Sequence, residues 1–154
     1  DVVLANDGVG TTNDGCCAGT TFVCAANSWP NAAQVAGRLV FVDRGTCGFA
    51  IKAKNAQLQG AVGVIVGNNT GGNEIINMSG TDATITIPSL SVSQNDGTAI
   101  KGQLAVTTVN ATLSRGTKGT EDSYRWLLGE GGRSERTVVA GDSSAGSLPR
   151  APIS

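Results

Sequence analysis

The feature that most constrains the fold of this chain is a strand–helix–strand pattern in residues 39–66. It begins with an apolar run, LVFV at residues 39–42, which has the β-branched and large side chains typical of a buried strand. A second apolar run, AVGVIV, occupies residues 61–66. Because parallel strands need a crossover of about a dozen residues, usually a helix, this pattern predicts a right-handed βαβ unit.

The residues between these two strands have the spacing of a helix. Apolar and small side chains recur there on one face: Phe49, Ala53, Ala56 and Gly60. Polar side chains lie off that face: Lys52, Lys54, Asn55 and Gln59. Thr46 precedes the pattern and is the expected N-cap of the helix.

Three further elements are predicted after the second strand. Residues 85–92 are rich in β-branched side chains and predict a strand, in which Pro88 indicates an edge, a bulge or a bend. Ser93 opens a capping box, SQND, which predicts a helix reaching about Leu104. Residues 105–113 then predict a last strand.

Changes in composition along the chain indicate its domain organisation. Residues 1–114 are predicted to form one folded domain. Residues 115–154 are predicted to be a linker and a C-terminal extension that is partly flexible, since glycine, serine and charged residues dominate it. Within this extension, SYRWLL at residues 123–128 is a short amphipathic patch that favours a helix.

Four cysteines lie in the first third of the chain: Cys16, Cys17, Cys24 and Cys47. They lack the CxxC pairs of zinc and redox sites, so we predict two disulfides and an oxidising compartment. A Cys24–Cys47 bond would force a strained bridge between the neighbours Cys16 and Cys17. Cys47 is therefore expected to join one of those two residues and Cys24 the other. Since the chain opens with DVVL and no basic n-region, we read it as a mature or excised segment of a secreted, extracellular protein.

Composition excludes several classes of function. The 154 residues include no histidine, the commonest general base and metal ligand. The net charge is −1, from 11 Lys and Arg against 12 Asp and Glu, which gives no electrostatic reason to bind nucleic acid or an anionic membrane. No run of about 18 apolar residues is present to span a membrane. We expect a protein that is not an enzyme and holds neither a metal nor a cofactor.

Several segments closely resemble the protease-associated (PA) domain family in their order and spacing. They are GRLVFVDRGTCGF at 37–49, KAKNA at 52–56, GAVGVIV at 60–66, NN at 68–69, GTD at 80–82, ITIPS at 85–89, SVSQ at 91–94 and GTAI at 97–100. The resemblance covers most of residues 1–113. It implies an α+β fold, a β-sandwich or open barrel flanked by short helices, with the βαβ unit inside it.

The resemblance also implies a role. PA domains are attached to secreted or vacuolar proteins, among them subtilisin-like and zinc-dependent peptidases and sorting receptors, and are not themselves catalytic. This implies a module of a secreted protein, a peptidase above all, that binds peptides or substrates or mediates protein–protein interaction. Its expected partner is the parent catalytic domain or a peptide or protein substrate. The alternative is a structural spacer that packs on a catalytic domain and restricts access to its active site.

The resemblance carries over a set of candidate ligand-binding residues: Arg44, Gly45, Thr46, Cys47, Pro88 and Ser89. In sorting receptors of the family the corresponding Arg-Gly-x-Cys loop holds a cargo peptide. A strand leading into a helix N-terminus exposes backbone N–H groups, and Arg44 adds a guanidinium that suits a carboxylate or carbonyl. The family's pattern suggests that the bend at Pro88 and Ser89 lies near the same rim.

Structural alternatives stay open for these residues. Arg44 could instead pair with Asp43 or another acid, and Cys47 could simply staple the loop. Four further residues carry oxygens that would suit calcium: Asn6, Asp7, Asn13 and Asp14. They lie in turn signals without the spacing of an EF-hand, so Asx-turns are favoured over a metal site.

Overall fold

The computed structural model describes residues 1–10, 13–113, 122–128 and 135–140. The helices are α1 (Ala32–Val35), α2 (Phe49–Leu58) and α3 (Gln94–Leu104). The strands are β1 (Val2–Leu4), β2 (Leu39–Asp43), β3 (Gly63–Gly67), β4 (Ser89–Val92), β5 (Val109–Thr112), β6 (Asp122–Leu128) and β7 (Glu135–Ala140). None of the helices in these ranges is long and apolar enough to cross a membrane.

The centre of the fold is a four-stranded parallel sheet in the order β1-β2-β3-β4. Alternate residues of β2 point to opposite faces, so Val40 and Val42 join one core cluster while Leu39 and Phe41 join another. Helix α2 covers the first face and α3 the second. The predicted βαβ unit is confirmed, since β2 and β3 pair in parallel on either side of α2.

A second sheet of three antiparallel strands has the order β5-β6-β7. The helix favoured for residues 123–128 is wrong, because these residues lie in β6. Their sequence places Tyr124, Trp126 and Leu128 two positions apart, which is the period of a strand. Strands β5 and β6 pair across the predicted domain boundary at residue 114, and that boundary stays a prediction. The remainder of the extension, residues 115–121, 129–134 and 141–154, lies outside the described residues.

The structure moves the ends of several predicted elements. Gly48, not Thr46, is the N-cap of α2. The Thr46 hydroxyl instead donates a hydrogen bond to the Asp14 carboxylate. Strand β4 begins only after Pro88, which has no N–H to donate to a sheet. The predicted start of α3 is confirmed: Ser93 is its N-cap, and Ser93 Oγ accepts a hydrogen bond of 3.1 Å from the Asp96 N–H.

The polar side of α2 is buried as well as its apolar side. Lys52, Asn55 and Gln59 are each fully buried, because the cysteine-rich segment of residues 13–29 covers them. The Asn55 amide accepts a hydrogen bond from Cys24 N and donates to Gly15 O, each at 2.8 Å. These bonds satisfy polar groups of a segment that has little regular structure of its own.

Two disulfides hold this covering segment, as predicted. Cys16 is bonded to Cys47 and Cys17 to Cys24, which is one of the two pairings left open by the sequence. The mixture of helices and strands and the parallel sheet agree with the expected fold. The β-sandwich or open barrel implied by the resemblance stays a prediction.

Candidate functional site

A polar cleft of about 340 Å³ opens at the carboxyl ends of β2 and β3. It is lined by Asp14, Asp43, Arg44, Gly45, Thr46, Asn68, Asn69, Gln94, Gly97, Thr98 and Lys101. The carboxyl ends of parallel strands meet at one edge of a sheet, and open sheets of this kind bind ligands there. The cleft is therefore the strongest candidate for a functional site in the described part of the chain.

Arg44 lies exposed on the rim of this cleft, directly after β2. Its Nη1 donates a hydrogen bond of 3.1 Å to Asn68 Oδ1, and Asn68 is buried. Its backbone is held from the other side, since Asn69 Nδ2 donates to Arg44 O at 3.1 Å. These two bonds join the loops after β2 and β3. The bond to Asn68 uses one edge of the guanidinium and fixes the orientation of the Arg44 side chain.

The acid next to Arg44 belongs to a different ion pair. Lys101 Nζ, on α3, lies 2.8 Å from Asp43 Oδ1 and 5.9 Å from the centroid of the Phe41 ring. The other ion pair among the described residues joins Arg38 to Asp1. The alternative that Arg44 pairs with Asp43 is therefore wrong for this structure.

The first turn of α3 also borders the cleft, beside the loops after β2 and β3. Gln94 Oε1 accepts a hydrogen bond from Gly72 N, and Gln94 Nε2 donates to Asn69 O. Two glycines allow the helix to approach the sheet closely here. A Cβ at Gly97 would lie 3.1 Å from Phe41 Cζ, and one at Gly67 would lie 2.4 Å from the same atom. Helix α3 thereby brings its N-terminal turn to the edge of the sheet.

The loop that carries Arg44 is fixed at its base. Gly45 and Thr46 have positive φ angles of 140° and 54°, which turn the chain back sharply. The Thr46 hydroxyl donates a hydrogen bond of 2.5 Å to Asp14 Oδ2, and Cys47 is bonded to Cys16. The disulfide and the hydrogen bond anchor the loop to the segment on its inner side.

Charged groups are buried beneath this loop. Lys52 Nζ donates to Asp14 O and lies 3.3 Å from Cys16 Sγ. Burial lowers the pKa of the Lys52 ammonium, and the carboxyls around it oppose that shift. Burial also raises the pKa of the Asp7 carboxyl, to which Asp14 is hydrogen-bonded. Backbone N–H groups act in the opposite direction on Asp7.

The turn interpretation is confirmed for Asn6, Asp7 and Asp14, each of which accepts a hydrogen bond from the backbone N–H two residues on. Asp7 Oδ1 accepts a hydrogen bond from Val9 N, and Asn6 Oδ1 accepts one from Gly8 N. Asp7 Oδ2 is directed to Gly15 N at 2.7 Å. These carboxylate and amide oxygens satisfy backbone donors. Within the described ranges, no group of three or more His, Cys, Asp or Glu residues could hold a metal ion.

The structure brings together only part of the candidate set. Arg44, Gly45 and Thr46 line the cleft, and Cys47 follows them in the disulfide. Pro88 and Ser89 lie elsewhere, since Ser89 pairs in register with Val64 at the beginning of β3, whereas Asp43 pairs with Gly67 at its end. Val64 and Gly67 are three residues apart along β3, so they lie roughly 10 Å from each other. The expectation that they share a rim is wrong.

Sequence reasoning missed the polar residues contributed by the loop after β3 and by α3: Asn68, Asn69, Gln94, Thr98 and Lys101. A signal for them was available. Once β2 and β3 are predicted to be parallel, the residues that follow each strand must lie at the same edge of the sheet.

Together, the parallel sheet, the disulfide-held loop and the polar cleft define a disulfide-stabilised helix-and-strand domain with one open edge. The chain belongs to the PA domain family, whose model matches residues 1–100.

Proteins similar to this chain include several whose names describe peptidases. The "Probable lipoprotein aminopeptidase LpqL" of Mycobacterium tuberculosis is 38% identical over 80 residues, which cover 52% of this chain and 16% of that protein. "Leucine aminopeptidase 2" of Trichophyton equinum is 31% identical over 91 residues, covering 59% and 18%. "Signal peptide peptidase-like 4" of Oryza sativa is 31% identical over 109 residues, covering 66% and 20%.

Among solved structures, an aminopeptidase from Aneurinibacillus sp. strain AM-1 matches 75% of this chain and 22% of its own, with 22% identity and a TM-score of 0.40. The chain thus spans about a fifth or less of the length of the curated relatives it matches.

Proposed function

We propose that this chain is a non-catalytic PA domain of a secreted peptidase and that it binds peptide at the cleft after β2 and β3. The support for the attachment comes from relatives whose names describe aminopeptidases and whose length extends well beyond the matched region. The support for a secreted location is the pair of disulfides, since these bonds persist in oxidising compartments.

The observation that carries the binding proposal is the state of Arg44. One edge of its guanidinium is used by Asn68, the residue is exposed, and neither ion pair in the described residues involves it. Asp43 is occupied by Lys101, and Asp14 by Thr46. Among the described residues, the cleft therefore presents one cation that is not in an ion pair, Arg44. A planar guanidinium suits a carboxylate through two parallel hydrogen bonds.

The remaining lining fits the backbone of a short peptide. Asn69, Gln94 and Thr98 place amide and hydroxyl groups beside Arg44, and these groups can pair with peptide N–H and C=O groups. A volume of about 340 Å³ is at the lower end of small-ligand sites, so it fits two or three residues of a chain. We propose that the peptide's terminal carboxylate, or an acidic side chain, contacts Arg44.

Calorimetric titration tests this binding. Acetylated tripeptides with a free carboxylate should bind the wild-type chain saturably, and Arg44→Ala should weaken binding about fivefold, the upper range for an exposed ion pair. Arg38→Ala is the matched control, because Arg38 lies at the other end of β2 and pairs with Asp1. Equal weakening by both variants would point to net charge alone and contradict a site at Arg44.

A spacer that restricts access to a catalytic domain is the second candidate function. It is favoured by the small share of each relative that this chain matches, which leaves most of the relative's length to another part of the protein. Flat titrations with every peptide would support the spacer. In either case, the 154-residue chain alone should show no turnover of peptide or ester substrates.

A further inference from the structure

The two disulfides differ in the charge beside their buried sulfur. In each bond one cysteine is buried, Cys16 or Cys24, and the other is only partly buried. The Lys52 ammonium lies 3.3 Å from Cys16 Sγ. The neighbour of Cys24 Sγ is neutral, namely the Trp29 indole N–H at 3.1 Å. One disulfide sulfur therefore lies beside a charged donor and the other beside a neutral donor, so the two bonds can be compared within one protein.

We propose that the Cys16–Cys47 bond is a site of thiol–disulfide exchange, at which a dithiol reductant attacks Cys47 and Cys16 departs as the leaving thiolate. Attack is directed to Cys47 because that sulfur belongs to the partly buried residue, whereas Cys16 is 3% exposed. Exchange is faster when the leaving sulfur is a more stable thiolate, and an ammonium in contact with it supplies that stability.

The electrons balance through two displacements. A thiolate of the dithiol forms a bond to Cys47 Sγ, the Cys16–Cys47 bond breaks, and its electron pair stays on Cys16 Sγ beside Lys52. The second thiol of the reductant then displaces Cys47, which leaves as a thiolate and takes up a proton. The dithiol is oxidised to a disulfide, and the protein gains a Cys16 thiolate and a Cys47 thiol.

The other polar groups around Cys16 either lie farther from its sulfur or bond its backbone. The carbonyl oxygens of Asp14 and Gly45 lie 3.6 and 3.8 Å from its sulfur, farther than the ammonium. Burial and the contact between the Asp7 and Asp14 carboxyls raise the pKa of Asp7, which favours its uncharged form. Both carboxyls also accept hydrogen bonds from the Cys16 backbone N–H.

Cleavage of this bond would change the cleft. The loop of residues 44–48 would lose its covalent link to the segment beneath it and would keep only hydrogen bonds, among them Thr46–Asp14 and those of Arg44 with Asn68 and Asn69. Reduction would thus loosen the position of Arg44. This consequence rests on the proposed function of the cleft, whereas the exchange chemistry does not.

The test measures reduction of the folded 154-residue chain by dithiothreitol, with quenching and alkylation followed by mass spectrometry. We expect Cys16–Cys47 to open roughly tenfold faster than Cys17–Cys24. With glutathione, the trapped mixed disulfide should lie on Cys47. Trypsin cuts after Arg44 and Lys52, so the peptide of residues 45–52 separates Cys47 from the other three cysteines. Equal rates, faster opening of Cys17–Cys24, or an adduct on Cys16 would overturn the proposal.

Lys52→Met removes the charge and keeps the length of the side chain. It should slow opening of Cys16–Cys47 severalfold and leave Cys17–Cys24 unchanged, while Lys54→Met, a partly exposed neighbour bonded to Thr84, should change neither rate. An unchanged rate in folded Lys52→Met would refute the role of the ammonium. If that variant fails to fold, the comparison of the two bonds and the position of the adduct decide the matter in the wild-type chain.

Discussion

Lys101 and Asp43, 58 positions apart in the chain, form a 2.8 Å ion pair across the floor of the cleft. The lysine comes from α3 and the aspartate ends β2, so the pair ties the helix to the sheet. The main consequence of this ion pair concerns the next residue, Arg44. With Asp43 occupied, Arg44 keeps its charge available to the cleft, which is the basis of the binding proposal.

The packing of the Phe41 ring and the helical state of α3 can be tested with two glycines. Gly67→Ala should destabilise the fold by about 1–3 kcal/mol, because the added methyl would overlap the buried Phe41 ring. Gly102→Ala is the control, since nothing lies within 4 Å of its added Cβ, and it should stabilise α3 by about 0.5–1 kcal/mol. Urea unfolding measures both changes, and a loss of stability in Gly102→Ala would contradict the described helix.

Asn55 connects α2 to the disulfide-held segment. Asn55→Asp keeps the shape of the side chain but places carboxylate oxygens against the carbonyls of Gly15 and Phe22, so we expect a loss of about 3 kcal/mol. Asn95→Asp, exposed in the first turn of α3, should change the free energy of unfolding by only a few tenths of a kcal/mol. Similar costs for the two variants would show that the segment does not cover α2.

Asp7 should make the stability of the fold depend on pH, with a sign that follows from the direction of its pKa shift. Its pKa is raised above the ordinary 3.8, because it is buried and shares a hydrogen bond with Asp14, so the folded protein holds its proton more tightly than the unfolded chain. The resulting stabilisation is complete below the ordinary pKa and is lost as pH rises through the folded-state pKa. Asp7→Asn has no such proton.

We therefore expect the difference in melting temperature, wild type minus Asp7→Asn, to be largest near pH 3 and to decrease toward pH 7. A difference that grows with pH would mean that the folded state favours the Asp7 carboxylate.

The two disulfides should contribute unequally to stability. Cys16–Cys47 closes a sequence separation of 31 residues and Cys17–Cys24 one of 7. Chain entropy then makes the longer crosslink worth roughly 1 kcal/mol more. Paired Cys→Ser variants of each bond, compared by thermal and urea unfolding, check this. A larger loss from removing Cys17–Cys24 would contradict the entropic account.

The parts of the fold that local sequence determines were predictable. The βαβ unit follows from two apolar runs and a helical spacing, and the start of α3 follows from the capping box at Ser93. Contacts between polar residues that are far apart in the sequence could not be predicted. The positions of Lys52, Asn55 and Gln59 off the apolar face gave no sign that the segment of residues 13–29 buries them.

In the candidate site, too, some features could be predicted from local sequence and others could not. The position of Arg44 directly after β2 follows from the strand pattern, whereas the Asn68 partner depends on how two loops meet in space. Pro88 and Ser89 were misplaced because a bend in the sequence does not say at which end of its neighbour a strand begins. That depends on the register between β3 and β4.

The central claim is that Arg44 and the cleft hold a peptide carboxylate, and an NMR titration tests it most directly. The ¹⁵N-labelled chain is titrated with an acetylated tripeptide that has a free carboxylate, and separately with its C-terminal amide. We predict saturable shifts of the Gly45, Thr46 and Asn69 amides with the carboxylate and much smaller shifts with the amide. Equal responses to the two peptides, no response, or shifts confined to the groove of about 430 Å³ beside β1 and the end of α3 would contradict the claim.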